Sequence, residues 1–260
     1  MGKFFNVTIP VEVAGNKQDD GNFGAGELIA DWTAFNIPKG GAVLRGVTAV
    51  ISGKDGASQT AGDLLLLFAN PKSDGSAPGT LGTVHAAASG VNSRRDVVAA
   101  LNIDANSDVA FPANFNIMTT GGGGGGDQIP FIGLEGVPGL SDNGFNTIYV
   151  ALTTGASNTT LNFSTNVFQA VEDADEINPI KVDNGSGSTA NAQKIFNIGD
   201  TITSSGGRYG VITAIDATFA SGGQSITVDS ALGADGSTPT PEDEEWFNLH
   251  PIKLVLSFEI

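Results

Sequence analysis

The sequence predicts an all-β protein: a β-sandwich, with a second compact β-rich block towards its C-terminal end. Three observations predict it. Apolar residues recur in short runs, many alternating with polar ones and rich in Val, Ile, Thr and Phe, the pattern of half-buried strands. Clusters of Gly, Pro, Asn, Asp and Ser punctuate these runs at the spacing of turns between strands. Charged residues make up only 15% of the chain while glycine contributes 36 of 260 residues, a balance that suits turn-rich β-proteins.

The elements follow in order. Phe4 to Val13 alternates, and Pro10 marks it as an edge strand or a bulge. Leu28 to Ile37 is a strand with Trp32 and Phe35, stopped by Pro38-Lys39-Gly40-Gly41. Ala42 to Ala69 reads as two strands joined by a polar turn, the central hairpin of the sandwich. Its second run, Leu64 to Phe68, is apolar throughout, so both its faces should be covered. Val97 to Ile103 is a short apolar strand, or a helical turn opened by Arg94, Arg95 and Asp96. Val109 to Met118 alternates as one strand. Six glycines, Gly121 to Gly126, precede a strand at Ile129 to Leu134. Phe145 to Thr153 and Thr160 to Val171 complete this part.

The composition changes at the acidic stretch Glu172 to Glu176. A β-rich block follows: Ile195 to Thr203, Tyr209 to Thr218 and Gln224 to Asp229. Its phrase IGDTITSSGGRYGVITAID resembles the first hairpin of SH3-like small barrels, and that resemblance implies a small barrel here. Phe247 to Ile260 is a long alternating strand. Asn178-Pro179-Ile180-Lys181-Val182 and His250-Pro251-Ile252-Lys253-Leu254 share one pattern, so the two stretches should bracket an insertion. The expected organisation is a sandwich over 1–177, an inserted domain over 178–249, and a closing strand over 250–260 that returns to the sandwich.

Charge and composition exclude several functions. With 12 basic and 28 acidic residues the net charge is −16, which repels nucleic acid and anionic membranes. No apolar stretch approaches the roughly 18 residues of a membrane-spanning helix, and the N-terminal MGKFFNVTIPVEV lacks the uninterrupted apolar core of a signal peptide. The chain contains no cysteine, so disulfides and thiolate metal sites are out.

No stretch carries a catalytic or cofactor motif, and the expectation is a non-enzymatic protein without cofactor. After Gly121–Gly126 a phosphate-binding loop needs a Lys-Ser/Thr pair and a helix, whereas Asp127, Gln128 and a strand follow. The tract reads instead as a loop tip that orders on contact with a neighbour. Glu242 to Glu245 offer carboxylates for Ca²⁺, but neighbours on an extended segment point to opposite sides, so a solvated acidic loop is expected. Asp183-Asn184-Gly185-Ser186-Gly187 opens like a calcium loop and lacks its later bidentate Glu. His85 and His250 lie far apart, with no nucleophile setting. Trp32, Trp246, Tyr149 and Tyr209 suit a sugar platform, or more plainly core and interface anchors.

The segment FNIPKGGAVLRGVTAVISGKDG followed by DLLLLFANPKSDGS resembles the jelly-roll proteins that decorate the heads of tailed bacteriophages. The resemblance implies a jelly-roll-like β-sandwich and a non-enzymatic virion structural protein. It also implies an oligomer, commonly a homotrimer, seated on the major capsid protein. The net charge places such a protein on the outer capsid surface, because packaged DNA would repel it from the inner one. The expected contact residues are Phe4, Phe5, Val7 and Ile9 of the N-terminal arm, with Gly121 and Gly126 bounding the glycine tract. The alternative is a tail or fibre component, or an adhesin, binding host-surface glycan.

Overall fold

The computed structural model describes residues 2–13, 22–39, 42–52, 59, 62–72, 74–79, 81, 96–104, 108–111, 115–120, 145–155, 161–165, 167–169, 179–184, 192–205, 209–218, 220, 223–229 and 245–260. Within them the chain is all-β, with three antiparallel sheets and a single helical turn at Ala192–Ile195.

One sheet has five strands, in the order β1 (Phe4–Val11), β15 (Ile252–Glu259), β3 (Val43–Ser52), β7 (Phe115–Thr120) and β6 (Asp108–Phe111). A four-stranded sheet runs β2 (Leu28–Pro38), β8 (Phe145–Thr154), β4 (Leu64–Ala69), β5 (Val97–Ile103). Alternate residues of both sheets meet in one buried cluster. Ile9, Val47, Ile51, Leu254 and Phe258 come from the first sheet, and Phe35, Leu64, Leu66, Leu101 and Val150 from the second. Each such side chain contributes roughly 1.5–3 kcal/mol by leaving water. An aromatic line crosses this core. Phe5 stacks on Phe258 at 5.2 Å, Phe258 lies 6.2 Å from Phe35, and Phe35 meets Phe68 edge-on at 6.4 Å.

The third sheet has six strands: β14 (Trp246–Asn248), β11 (Thr201–Ser204), β12 (Tyr209–Ile215), β13 (Gln224–Val228), β10 (Ile180–Asp183) and β9 (Phe168–Gln169). It buries a separate cluster around Ile180, Val182, Phe196, Ile202, Ile226 and Trp246. It is not closed into a barrel. Its two edges meet at one isolated bridge, Phe168 with Glu245.

Several sequence expectations are corrected. β3 and β4 do not form a hairpin: they lie in opposite sheets, β3 between β15 and β7, and β4 between β8 and β5. Both strands need a covered face, and facing one another across the core covers both at once. The Leu64–Phe68 run is also not covered equally on its two faces. Leu64, Leu66 and Phe68 are fully buried, while Leu65 and Leu67 are half-buried on the outer face. Val97–Ile103 is a strand paired with β4, not a helical turn. Val109 to Met118 is not one strand: it falls across the antiparallel pair β6–β7, with Phe111 opposite Phe115.

Among the described residues of the stretch from Thr160 to Val171, only Phe168–Gln169, β9, is a strand. Residues 161–165 are largely buried without a ladder, because side chains take their backbone donors. The N–H groups of Asn162, Ser164, Thr165 and Val167 donate to Gln59 Oε1, Asn162 Oδ1, Glu245 Oε1 and Thr165 Oγ1. The long closing strand is two strands in two sheets, broken at 249–251. There Leu249 N–H donates to the Thr201 carbonyl, His250 N–H donates to Asn248 Oδ1, and Pro251 has no N–H to continue a ladder.

β15 sits between β1 and β3 and pairs with both along its length. Opposite Ser257 and Phe258, β3 carries one extra residue, Arg45, which bulges outward. Its guanidinium Nε donates to Glu259 Oε2 at 2.7 Å.

Candidate interaction surface

β1 forms one edge of the five-stranded sheet, and its backbone geometry follows from the sequence and one pair of bonds. Lys3 and Ile260 exchange both of their N–H···O bonds, at 3.4 and 2.9 Å. Antiparallel ladders alternate bonded and non-bonded pairs. Phe5, Val7, Ile9 and Val11 therefore aim their N–H and C=O groups at β15, opposite Phe258, Leu256, Leu254 and Ile252. Phe4, Asn6, Thr8 and Pro10 aim theirs away from the sheet. Pro10 thus sits where a missing N–H costs no ladder bond, and the β1–β15 register runs without a bulge from Phe4 to Val11.

The side chains alternate in the same phase. Ile9 and Val11 are buried in the sandwich core, and Phe5 and Val7 are half-buried against it. Phe4 is 72% exposed, on the opposite face. Of the four arm residues expected at a contact, Phe4 is thus free to meet a partner, Phe5 and Val7 are partly so, and Ile9 is core. Gly121 and Gly126 lie outside the described residues, as do His85, Glu242 and residues 129–134.

The other edges of the sandwich are blunted. β2 carries two register shifts and Asp31. β6 has only four residues and includes Asp108. β5 has a register shift at its start, and Leu101 and Ile103 on its inner face are already buried. β1 is unbulged and carries no charge over eight residues. Its core-facing Phe5 also keeps part of its aromatic ring exposed.

The remaining candidates do not converge. Among the described residues no group of three or more His, Asp or Glu side chains is placed to hold a metal ion. Glu245 is not part of a solvated loop as expected: it is 5% exposed. Its Oε1 accepts from Ser164 Oγ at 2.8 Å and from Thr165 N–H at 3.0 Å. Beside it, Trp246 N–H donates to the Val167 carbonyl at 2.8 Å. This carboxylate joins the segment leaving the sandwich to the strand coming back. Asp183 is buried too, as the last residue of β10.

The four polar-edged aromatics are divided between sheets. Trp32 on β2 donates its indole N–H to the Gly79 carbonyl at 2.8 Å, and Tyr149 is on neighbouring β8. Trp246 is fully buried in the six-stranded sheet while Tyr209 there is 70% exposed. In an exposed turn, hydrogen bonds from the Ser76 hydroxyl and N–H hold the Asp74 carboxyl below the ordinary aspartate range.

The strand β1 is legible in the sequence, whereas the phase of its backbone and the burial of Glu245 are less so. The outward phase of its backbone was encoded in Pro10, because only that phase tolerates proline inside a paired strand. Glu245 carried no local signal, since its partners lie 80 and 81 residues away. Among the described residues no helix is long and apolar enough to cross a membrane. Compared with known proteins, the chain matches no family model, no curated protein and no solved structure.

Proposed function

We propose that the chain is a non-enzymatic virion structural protein, a decoration or cement protein on the outer surface of a tailed-phage head. The observation that carries the reading is the strand order. Set β6 aside and take the other eight described sandwich strands in chain order: β1, β2, β3, β4, β5, β7, β8, β15. One sheet then holds the first, eighth, third and sixth, and the other the second, seventh, fourth and fifth. Successive strands alternate between sheets except the fourth and fifth, which pair with each other, and the last strand lies beside the first, as in a jelly roll, an architecture used by capsid and lectin domains. β6 extends one sheet, and the six-stranded unit enters between the seventh and eighth strands.

Fold alone does not give function, so three further observations are joined to it. The phrases FNIPKGGAVLRGVTAVISGKDG and DLLLLFANPKSDGS resemble head-decorating jelly rolls. The net charge of −16 suits a surface facing away from packaged DNA. The uncharged β1 edge offers a strand for addition to a neighbour, whether the major capsid protein or another copy. The near-contact of β9 and β14 at Phe168–Glu245 supports the small-barrel reading of the inserted unit. Three-fold assembly comes from the resemblance; the geometry of β1 points to a two-fold contact, taken up below. Many copies on a closed shell stabilise it although each contact is modest.

The test is the copy number in purified particles. A cement protein occurs in a high number that follows the shell's symmetry, and its removal lowers the temperature at which the head releases DNA. A handful of copies confined to the tail overturns the reading.

A further inference from the structure

We propose that β1 pairs with β1 of a second copy, antiparallel about a two-fold axis through Asn6, so that two sandwiches share one continuous sheet. The inference rests on the reading of β1 as the contact strand and names its partner. Phe4, Asn6 and Thr8 turn their free backbone groups outward, and Pro10 ends the run because it has no donor. Centred on Asn6, two copies place Phe4 against Thr8, Asn6 against Asn6 and Thr8 against Phe4. Every pair is two-bonded and lies inside the strand. Centred on Val7, Phe4 would face Pro10 and its carbonyl would have no donor. Centred on Phe5, only two bonded pairs would fall inside the strand.

The side chains select the same register. Phe5 and Val7 are the half-buried apolar residues of the strand. With the axis at Asn6, Phe5 stands directly opposite Val7 of the second copy and Val7 opposite its Phe5. Such aromatic–β-branched pairs stabilise sheets, and here they cover the apolar surface each copy leaves open. The interface is isologous and closes at two copies. Charge points to the same strand. Two chains of −16 repel at long range, and the sequence FFNVTIPV brings no carboxylate to the contact. Added salt should therefore strengthen this pairing, whereas an interface built on ion pairs would weaken.

The experiment uses the full-length protein. Because the chain contains no cysteine, Asn6→Cys supplies a single thiol per copy. A bonded antiparallel pair sets Cα atoms about 5.5 Å apart, within the span of a disulfide. Mild oxidation should convert this variant to a covalent dimer on a non-reducing gel, while Lys194→Cys, exposed on the helical turn, should not dimerise comparably. Sedimentation of the unmodified protein should show association that grows with concentration and with salt. Asn6→Lys, which sets two ammonium groups face to face, should weaken it about fivefold or more, although it lowers the net negative charge. Equal cross-linking at positions 6 and 194, or a dissociation constant unchanged by Asn6→Lys, overturns the proposal. So does a protein in which no β1-dependent association occurs at any concentration or salt. A protein that pairs through β1 but is absent from capsids overturns the proposed function and leaves this pairing standing.

Discussion

At the residue scale, the Leu64–Ala69 strand separates positions that the sequence makes look alike. Leu65 and Leu66 are adjacent leucines in an unbroken apolar run, yet Leu66 is fully buried between the sheets and Leu65 is half-buried on the outer face. Leu66→Asp places an unpaired charge in the core and should cost several kcal/mol, about 3–5 by analogy with broken buried ion pairs. Leu65→Asp can turn its carboxylate to water and should cost about 2 kcal/mol or less. Urea denaturation of the two variants checks this. If they lose similar stability, the strand is not oriented as described. Glu245 makes the complementary point: a carboxylate in an acidic run becomes a buried acceptor because Ser164 and Thr165 donate to it.

At the element scale, β1 shows how backbone phase decides what a strand tolerates. Proline at position 6 removes an outward N–H that has no partner in one copy, whereas proline at position 7 removes a donor to Leu256. Asn6→Pro should therefore stay within about 1 kcal/mol of the parent. Val7→Pro should lose that much for the ladder bond alone and up to about 3 kcal/mol more for the stranded carbonyl. Chemical denaturation at low protein concentration measures both in the unpaired state. A larger loss for Asn6→Pro would mean that the ladder phase is reversed, and equal losses would mean that the phase does not set the cost. The break between β14 and β15 has a similar origin: the alternation of Phe247 to Ile260 is continuous enough to read as one strand. Asn248 and Pro251, however, turn the chain from one sheet to the other.

At the scale of the whole molecule, two buried clusters are joined where the chain crosses between them. The crossing points are close, since Val167 accepts the Trp246 N–H at 2.8 Å beside the Glu245 carboxylate. Residues 168–248 hold the six-stranded sheet with its own core. A chain lacking 168–248, closed by a short Gly-Ser linker, should keep the sandwich's β-sheet circular dichroism and melt cooperatively. A chain ending at 248 should not fold, because β15 lies between β1 and β3 and its Leu254, Leu256 and Phe258 fill the core. If the shortened, linked chain failed to melt cooperatively, the sandwich would depend on the inserted unit.

The sequence by itself determined the all-β class, most strand positions and which residues of many strands face inward. These properties are local, because alternation at period two is written along the strand itself, in Phe5-Val7-Ile9-Val11 as in Leu254-Leu256-Phe258. It also held the edge character of β1, in Pro10. Only the tertiary structure decided which strands share a sheet. Nothing local to Val43–Ser52 and Leu64–Ala69 says whether two neighbouring strands pair edge to edge or face one another across a core, since either arrangement buries the same side chains. Likewise nothing near Glu245 announces partners 80 residues away. Sheet membership and buried polar contacts are set by what lies opposite, which only the folded chain supplies.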